Sequence, residues 1–164
     1  MSTHDRENSI RVLIADDDEH ILACYREAFG KSESTDYMKA LDLLSAELFD
    51  PDTVAENEPE FEVVACSQGD DAIKCATAAA REGKPFDVVI LDVRMPPGID
   101  GVEAGSQIRK LDPNIEIVFV TGFSDIAREE LERRVPPPMK LHYFNKPISF
   151  MRLAEDVVEM VRSH

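Results

Sequence analysis

The sequence predicts an α/β fold in which a doubly wound parallel sheet carries helices on both faces. Five short apolar runs rich in β-branched residues recur along the chain, and a helical pattern follows each of them. Most of the runs are continuously apolar rather than alternating, which is typical of strands buried on both faces. Because a right-handed crossover packs each helix against the sheet, strict alternation of the two patterns indicates a parallel sheet.

The predicted elements follow in chain order. The five strands are expected at residues 11–15, 61–66, 86–91, 115–120 and 141–145. The first helix places apolar residues 21, 24, 25, 28 and 29 on one face. The others are expected at residues 69–82, 102–111, 124–134 and 149–162, with Ser124 as the cap of the fourth.

Residues 31–60 do not fit this simple count, because they are too many for an ordinary connection in a compact domain. Tyr37, Leu41, Leu44 and Leu48 have helical spacing, so we expect an added amphipathic helix followed by an acidic loop. The segment contains nine acidic and two basic residues, a net charge of −7.

The length and net charge of the chain limit the kinds of partner that it can bind directly. A chain of 164 residues with 43% hydrophobic and 31% charged residues is suited to one globular domain. Its formal net charge of −15 disfavours direct binding to nucleic acid or to an anionic membrane. The N-terminus is polar and no segment is apolar enough to span a bilayer, so we expect a cytoplasmic protein.

The carboxyl ends of the predicted strands carry the candidate functional residues, and ligands of open α/β sheets bind at that edge. Asp16 and Asp17 follow the first strand, Asp92 the third, Thr121 the fourth and Lys146 the fifth. Converging carboxylates repel one another unless they share a cation, and Mg²⁺ suits such oxygen ligands. With Asp92 as nucleophile, this set fits phosphoryl transfer to a carboxylate.

Four motifs in this order resemble the bacterial response-regulator receivers: RVLIADDDEHIL, FDVVILDVRMPPGIDG, IVFVTG and YFNKPI. The resemblance covers nearly the whole chain except residues 31–60. It implies one receiver domain over residues 1–164, with a flavodoxin-like five-stranded sheet in the order 2-1-3-4-5 and an insertion at 31–60.

The resemblance also implies a role for each matching residue of the metal site. Asp17 would bind Mg²⁺ directly and Asp16 mostly through water. Asp92 would be both a ligand and the phosphorylated residue, and the backbone carbonyl of Arg94 would be a further ligand.

By the same resemblance, Thr121 and Lys146 would hold the phosphoryl group, and the Lys146–Pro147 bond would be cis. Tyr143 would be the aromatic switch residue, turning inward when the Thr121 hydroxyl moves toward the phosphoryl group. An aromatic residue at Tyr143 is equally typical of half-buried packing.

The implied function is phosphorelay signalling rather than metabolic catalysis. The donor would be a sensor histidine kinase or a phosphotransfer protein, and the domain would catalyse only its own phosphorylation and slow dephosphorylation. The output partner or domain is not identified by the sequence, and dimerisation through the last two helices is left open.

The sequence departs from the family pattern in three places. Residues 31–60 are inserted, MPPGIDG has one extra residue, and the proline-rich approach to the last strand predicts a short or irregular fourth helix. The altered loop beside Asp92 bears on the rate of dephosphorylation and on the fit of the kinase.

Two other functions compete with this interpretation. Asp16 and Asp18 form the D-x-D pattern of haloacid-dehalogenase-type phosphatases, but a further acidic motif after Lys146 is missing, with Asp156 the nearest candidate. A receiver-like interaction module that takes no phosphate is the second. Asp18 itself is better explained as a helix cap or first-turn acid.

Overall fold

The computed structural model describes residues 8–30, 59–122 and 126–163. Its strands and helices alternate as expected. The elements are β1 (Ser9–Ala15), α1 (Glu19–Phe29), β2 (Glu60–Cys66), α2 (Gly69–Arg81), β3 (Val88–Asp92), α3 (Gly101–Leu111), β4 (Glu116–Thr121), α4 (Arg128–Arg134), β5 (Leu141–Asn145) and α5 (Phe150–Arg162), with a short 3₁₀ helix at Pro138–Lys140 before β5.

The five strands form one parallel sheet in the order β2-β1-β3-β4-β5, so the predicted fold and strand order are confirmed. β1 and β3 are neighbours near the centre, and β4 lies between β3 and β5. The carboxyl ends of β1, β3, β4 and β5 therefore meet at one edge, where the predicted site residues lie.

The core has two layers, one on each face of the sheet. On one face, Leu91 and Phe119 pack under α2, α3 and α4. On the other face, Ile90 and Val118 pack under α1 and α5. Successive residues of β3 and β4 point to opposite faces and both faces are covered, which explains why these strands have continuously apolar sequences.

Helix ends agree with the sequence signals except at α4. Asp18 caps α1, and its side chain accepts hydrogen bonds from the amides of His20 and Ile21 at 2.8 and 3.4 Å. Ser149 caps α5 in the same way.

The prediction for the start of the fourth helix was wrong. α4 begins at Arg128, with an extended Ala127 before it, rather than at residue 124. Ile126 packs on the core from this non-helical segment, and Glu129 and Glu130 fill the first turn, where the helix dipole favours acidic residues. At seven residues α4 is short, as the proline-rich approach to β5 predicted.

The predicted added helix at residues 37–48 and the acidic loop after it lie outside the described residues. Among the helices of residues 8–30, 59–122 and 126–163, none is long and apolar enough to cross a membrane.

Candidate functional site

Three carboxylates meet at the carboxyl edge of the sheet. Oxygens of Asp16, Asp17 and Asp92 lie within 4.8 Å of one another. Asp16 and Asp92 are buried, with 2% and 4% of their surface exposed, whereas Asp17 faces solvent. The convergence follows from topology, because Asp16 and Asp17 follow β1 and Asp92 ends the neighbouring strand β3.

Asp16 is held in an unfavourable electrostatic environment. Its Oδ1 accepts a hydrogen bond from the Asp18 amide at 2.9 Å, while its Oδ2 is buried without a hydrogen-bond partner among the described residues. Burial, helped by the negative charge of Asp92, raises the pKa of Asp16 to about 6 despite the bond from the Asp18 amide. A cation would relieve this burial cost, so the Asp16, Asp17 and Asp92 oxygens fit Mg²⁺.

The two oxygens of Asp92 have different partners. Oδ2 accepts a hydrogen bond from Lys146 Nζ at 2.8 Å, and Oδ1 accepts one from the Arg94 amide at 3.2 Å. The Lys146 side chain is 43% exposed, so this ion pair lies at the surface of the site. The partly exposed Lys146 side chain thus places a cationic nitrogen beside the buried Asp92 carboxylate.

Lys146 is placed by the backbone of β4. Its amide donates to the carbonyl of Thr121 at 2.9 Å, which continues the pairing of β4 with β5 past the last strand residue. The Lys146–Pro147 bond is cis, as predicted.

Thr121 lies at the same edge of the sheet, and only 7% of its surface is exposed. Its hydroxyl donates a hydrogen bond to Oδ1 of Asn145 at 3.1 Å. Sequence analysis missed Asn145, although the parallel register, which sets Thr121 opposite Asn145, could have revealed the pair.

The loop after β3 is held from both of its ends. The Gly101 amide donates to the Val93 carbonyl at 2.9 Å, and a Cβ on Gly101 would overlap the carbonyl oxygen of Asp92. At the other side, Gln68 accepts from the Gly98 amide at 3.2 Å and donates to the Pro96 carbonyl at 3.5 Å. The extra residue of MPPGIDG thus lies in a loop that contacts the segment following β2.

Tyr143 is half-buried and packs against the core under α4. The Arg128 guanidinium lies over its ring at 4.8 Å, and Arg128 also pairs with Glu132 at 2.9 Å. Burial, with Glu132 nearby, raises the pKa of Tyr143. This packing position fits both the switch and the structural interpretation of the residue.

A second polar cluster lies at the opposite edge of the sheet, and sequence analysis missed it too. Glu116 is buried at the first position of β4, where Lys140 Nζ approaches at 2.6 Å and His142 Nε2 at 2.8 Å. Burial alone would raise the pKa of Glu116, but the bonds from Lys140 and His142 outweigh it and lower the pKa. The sequence signal that could have revealed this cluster is Glu116 itself, an acidic residue in the otherwise apolar run of β4.

Buried Arg109 extends this second cluster. Its guanidinium donates to the carbonyls of Pro113, Ile115 and Lys140. Through these bonds, the end of α3 holds both the loop before β4 and the approach to β5.

Comparison with known proteins gives a consistent result. Residues 52–157 match the family described as the response regulator receiver domain. This range contains Asp92, Thr121, Tyr143 and Lys146, and begins after the Asp16–Asp17 pair.

Curated relatives match part of the chain. The sensor kinase CckA of Brucella abortus is 35% identical over 79 residues, which are 48% of this chain and 8% of that protein. The response regulator receiver protein CpdR of the same organism is 28% identical over 78 residues, 48% of this chain and 62% of CpdR. The match thus spans less than two thirds of either relative.

Solved structures agree on the fold. A response regulator receiver protein from Sinorhizobium medicae superimposes with a TM-score of 0.62 at 22% identity, covering 96% of this chain and 98% of that one.

Proposed function

Because this chain belongs to the response regulator receiver domain family, we propose that it is a phosphorylation switch whose acceptor is Asp92. The observation that carries the proposal is the position of Asp92 between the acidic pair Asp16–Asp17 and Lys146 Nζ, 2.8 Å from Oδ2. One side of the acceptor thus suits a divalent cation, and the other carries the positive charge that a phosphoryl group requires.

The proposed metal ligands are the carboxylates of Asp16, Asp17 and Asp92 together with the backbone carbonyl of Arg94. Bound Mg²⁺ would neutralise charge on the carboxylates and on the phosphoryl oxygens. The buried Oδ2 of Asp16, which has no hydrogen-bond partner among the described residues, supports this ligand set.

In the proposed reaction, a carboxylate oxygen of Asp92 attacks the phosphorus of the donor. The new P–O bond forms as the bond from phosphorus to the leaving group breaks, and the leaving group keeps the electron pair. Lys146 neutralises a phosphoryl oxygen, and the Thr121 hydroxyl donates a hydrogen bond to another. This step needs no general base, because a carboxylate nucleophile has no proton to give up as the new bond forms.

Thr121 and Tyr143 would then transmit the event. When the Thr121 hydroxyl moves toward the phosphoryl group, space opens beside β4, and Tyr143 turns inward from under Arg128. The surface formed by α4, β5 and α5 changes in consequence, which biases the binding of an output partner.

The donor proposed is a phosphohistidine of a sensor histidine kinase or phosphotransfer protein, and the proposed location of this chain is the cytoplasm. Both Brucella abortus relatives carry names from this kind of system, a sensor kinase and a response regulator receiver protein. The chain's own activity is limited to taking up the phosphoryl group and slowly hydrolysing it.

The phosphatase alternative requires Asp18 to take part in the D-x-D motif. Asp18 instead accepts hydrogen bonds from two amides of the first turn of α1. This observation favours the receiver, and leaves a phosphate-independent interaction module as the competing function.

The proposal is tested by intact mass after incubation with acetyl phosphate. We expect a gain of one phosphoryl group that requires Mg²⁺, disappears with EDTA and is absent from Asp92→Asn, because that change removes the nucleophile. Asp87→Asn, at the opposite end of β3, is the matched control and should still be phosphorylated. No gain in the wild type would favour the interaction module, and phosphate release that persists in Asp92→Asn would favour the phosphatase.

A further inference from the structure

The hydrogen bond between Thr121 and Asn145 has a consequence for how the switch is set. Thr121 ends β4 and lies opposite Asn145, the last residue of β5. The hydroxyl donates to Asn145 Oδ1 at 3.1 Å, and Asn145 itself is exposed to solvent.

A hydroxyl carries a single proton and therefore donates one strong hydrogen bond at a time. While the Thr121 hydroxyl donates to Asn145, it does not donate to a group on Asp92. The two acceptors compete, and the charged phosphoryl oxygen is the stronger one. Phosphorylation thus has to break an existing bond before Thr121 can take up its new position.

We propose that Asn145 is a positioning residue that holds Thr121 in its resting position and thereby limits switching without phosphate. This inference rests on the proposed function. Asn145 suits the role because it is exposed, so its carboxamide can be hydrated when Thr121 leaves. The resting state is favoured by no more than one ordinary hydrogen bond, which a phosphoryl group overcomes.

The first test measures the affinity for beryllofluoride, a phosphoryl mimic, by calorimetry with Mg²⁺. Asn145→Val should bind it about threefold to tenfold more tightly than the wild type, because the competing acceptor is gone. In a Thr121→Val background, which lacks the hydroxyl, the same substitution at Asn145 should have no effect. An equal gain in both backgrounds would overturn the proposal.

The second test follows the methyl group of Thr121 by NMR in the protein without beryllofluoride. In Asn145→Val, its signal should move toward the position found in the beryllofluoride complex. A general loosening of β5 would broaden or scatter signals along the strand instead of moving this one along that line.

Other outcomes are equally decisive. Unchanged affinity and an unmoved Thr121 signal would overturn the role of Asn145 while leaving phosphorylation intact. Weaker binding by Asn145→Val would assign Asn145 to the phosphoryl group itself and also overturn it. A wild type that neither binds beryllofluoride nor accepts a phosphoryl group would overturn this inference together with the proposed function.

Discussion

Both edges of the sheet bury acidic residues, but folding shifts the pKa of Glu116 at one edge and of Asp16 at the other in opposite directions. At the amino end of β4, Glu116 contacts Lys140 and His142, and its pKa is lowered. At the carboxyl end of β1, Asp16 has a buried oxygen with no hydrogen-bond partner in the described part of the chain, and its pKa is raised to about 6. The buried charge of Glu116 is thus satisfied within the protein, whereas that of Asp16 is only partly satisfied by the described residues.

This difference distinguishes a buried carboxylate that stabilises the fold from one that belongs to the candidate site. At neutral pH a carboxylate whose pKa is lowered by folding stabilises the fold, whereas one whose pKa is raised destabilises it until a ligand binds. Energetic cost at the carboxyl edge is therefore a better pointer to the site than the presence of acidic residues alone.

The largest expected effect comes from removing Glu116 and its ion pairs with Lys140 and His142. Glu116→Ala should lower the free energy of unfolding by about 4 kcal/mol, because it leaves Lys140 and His142 without their buried partner. Urea denaturation measures this. Glu62→Ala is the control: Glu62 forms an ion pair with Arg11 at 3.2 Å, but its side chain is 58% exposed, so the loss should stay below about 1 kcal/mol. Equal losses in the two variants would remove the distinction between the edges.

The next largest effect comes from removing the buried charge of Asp16. With EDTA present, Asp16→Asn should raise the free energy of unfolding at neutral pH by about 3 kcal/mol, since the pKa of Asp16 rises from 3.8 to about 6 and each unit corresponds to about 1.4 kcal/mol. The measurement is urea denaturation of both proteins across pH 4 to 8.

The sign of this pH dependence is fixed by the direction of the shift. A carboxyl whose pKa is raised by folding stabilises the fold fully below its unfolded pKa, and that contribution is lost as pH rises through the folded value. The advantage of Asp16→Asn should therefore be small near pH 4 and grow until the pH is above about 6. Glu116 acts in the opposite direction, but it is present in both proteins and cancels. A constant difference at all pH values would contradict the burial of an ionised Asp16.

The smallest effect distinguishes neighbouring carboxylates. Asp18→Ala should lower the free energy of unfolding by about 1 kcal/mol through loss of the α1 cap, and should leave the affinity for Mg²⁺ unchanged. Asp17→Ala, its matched partner, should do the reverse: little change in stability, as for exposed residues, and a large loss of Mg²⁺ affinity. Mg²⁺ titrations followed by NMR would compare them, and a loss of affinity in Asp18→Ala would return it to the site.

Features set by one strand and its neighbours could be predicted from sequence. The fold and strand order are confirmed because apolar periodicity and alternation reflect burial on both faces. The convergence of Asp16, Asp17 and Asp92 could be predicted because parallel strands share one carboxyl edge.

Features set by side chains that meet across the sheet could not be predicted in the same way. The contacts of Gln68 with the loop after β3 and the partners of Glu116 depend on rotamers, whereas the parallel register could have placed Thr121 opposite Asn145. The predicted start of α4 was wrong because local capping signals compete with the packing of Ile126 on the core. Ser124 matched a capping pattern, but the chain is still extended at Ala127.

The packing of Gly101 against the Asp92 carbonyl affects which sequences this site tolerates. Any side chain at that position would push the start of α3 away from the strand end that carries the acceptor. In a library of variants selected for phosphoryl acceptance, position 101 should retain glycine as strictly as position 92 retains aspartate. One residue would be restricted by shape and the other by chemistry, and substitution frequencies alone would not tell them apart.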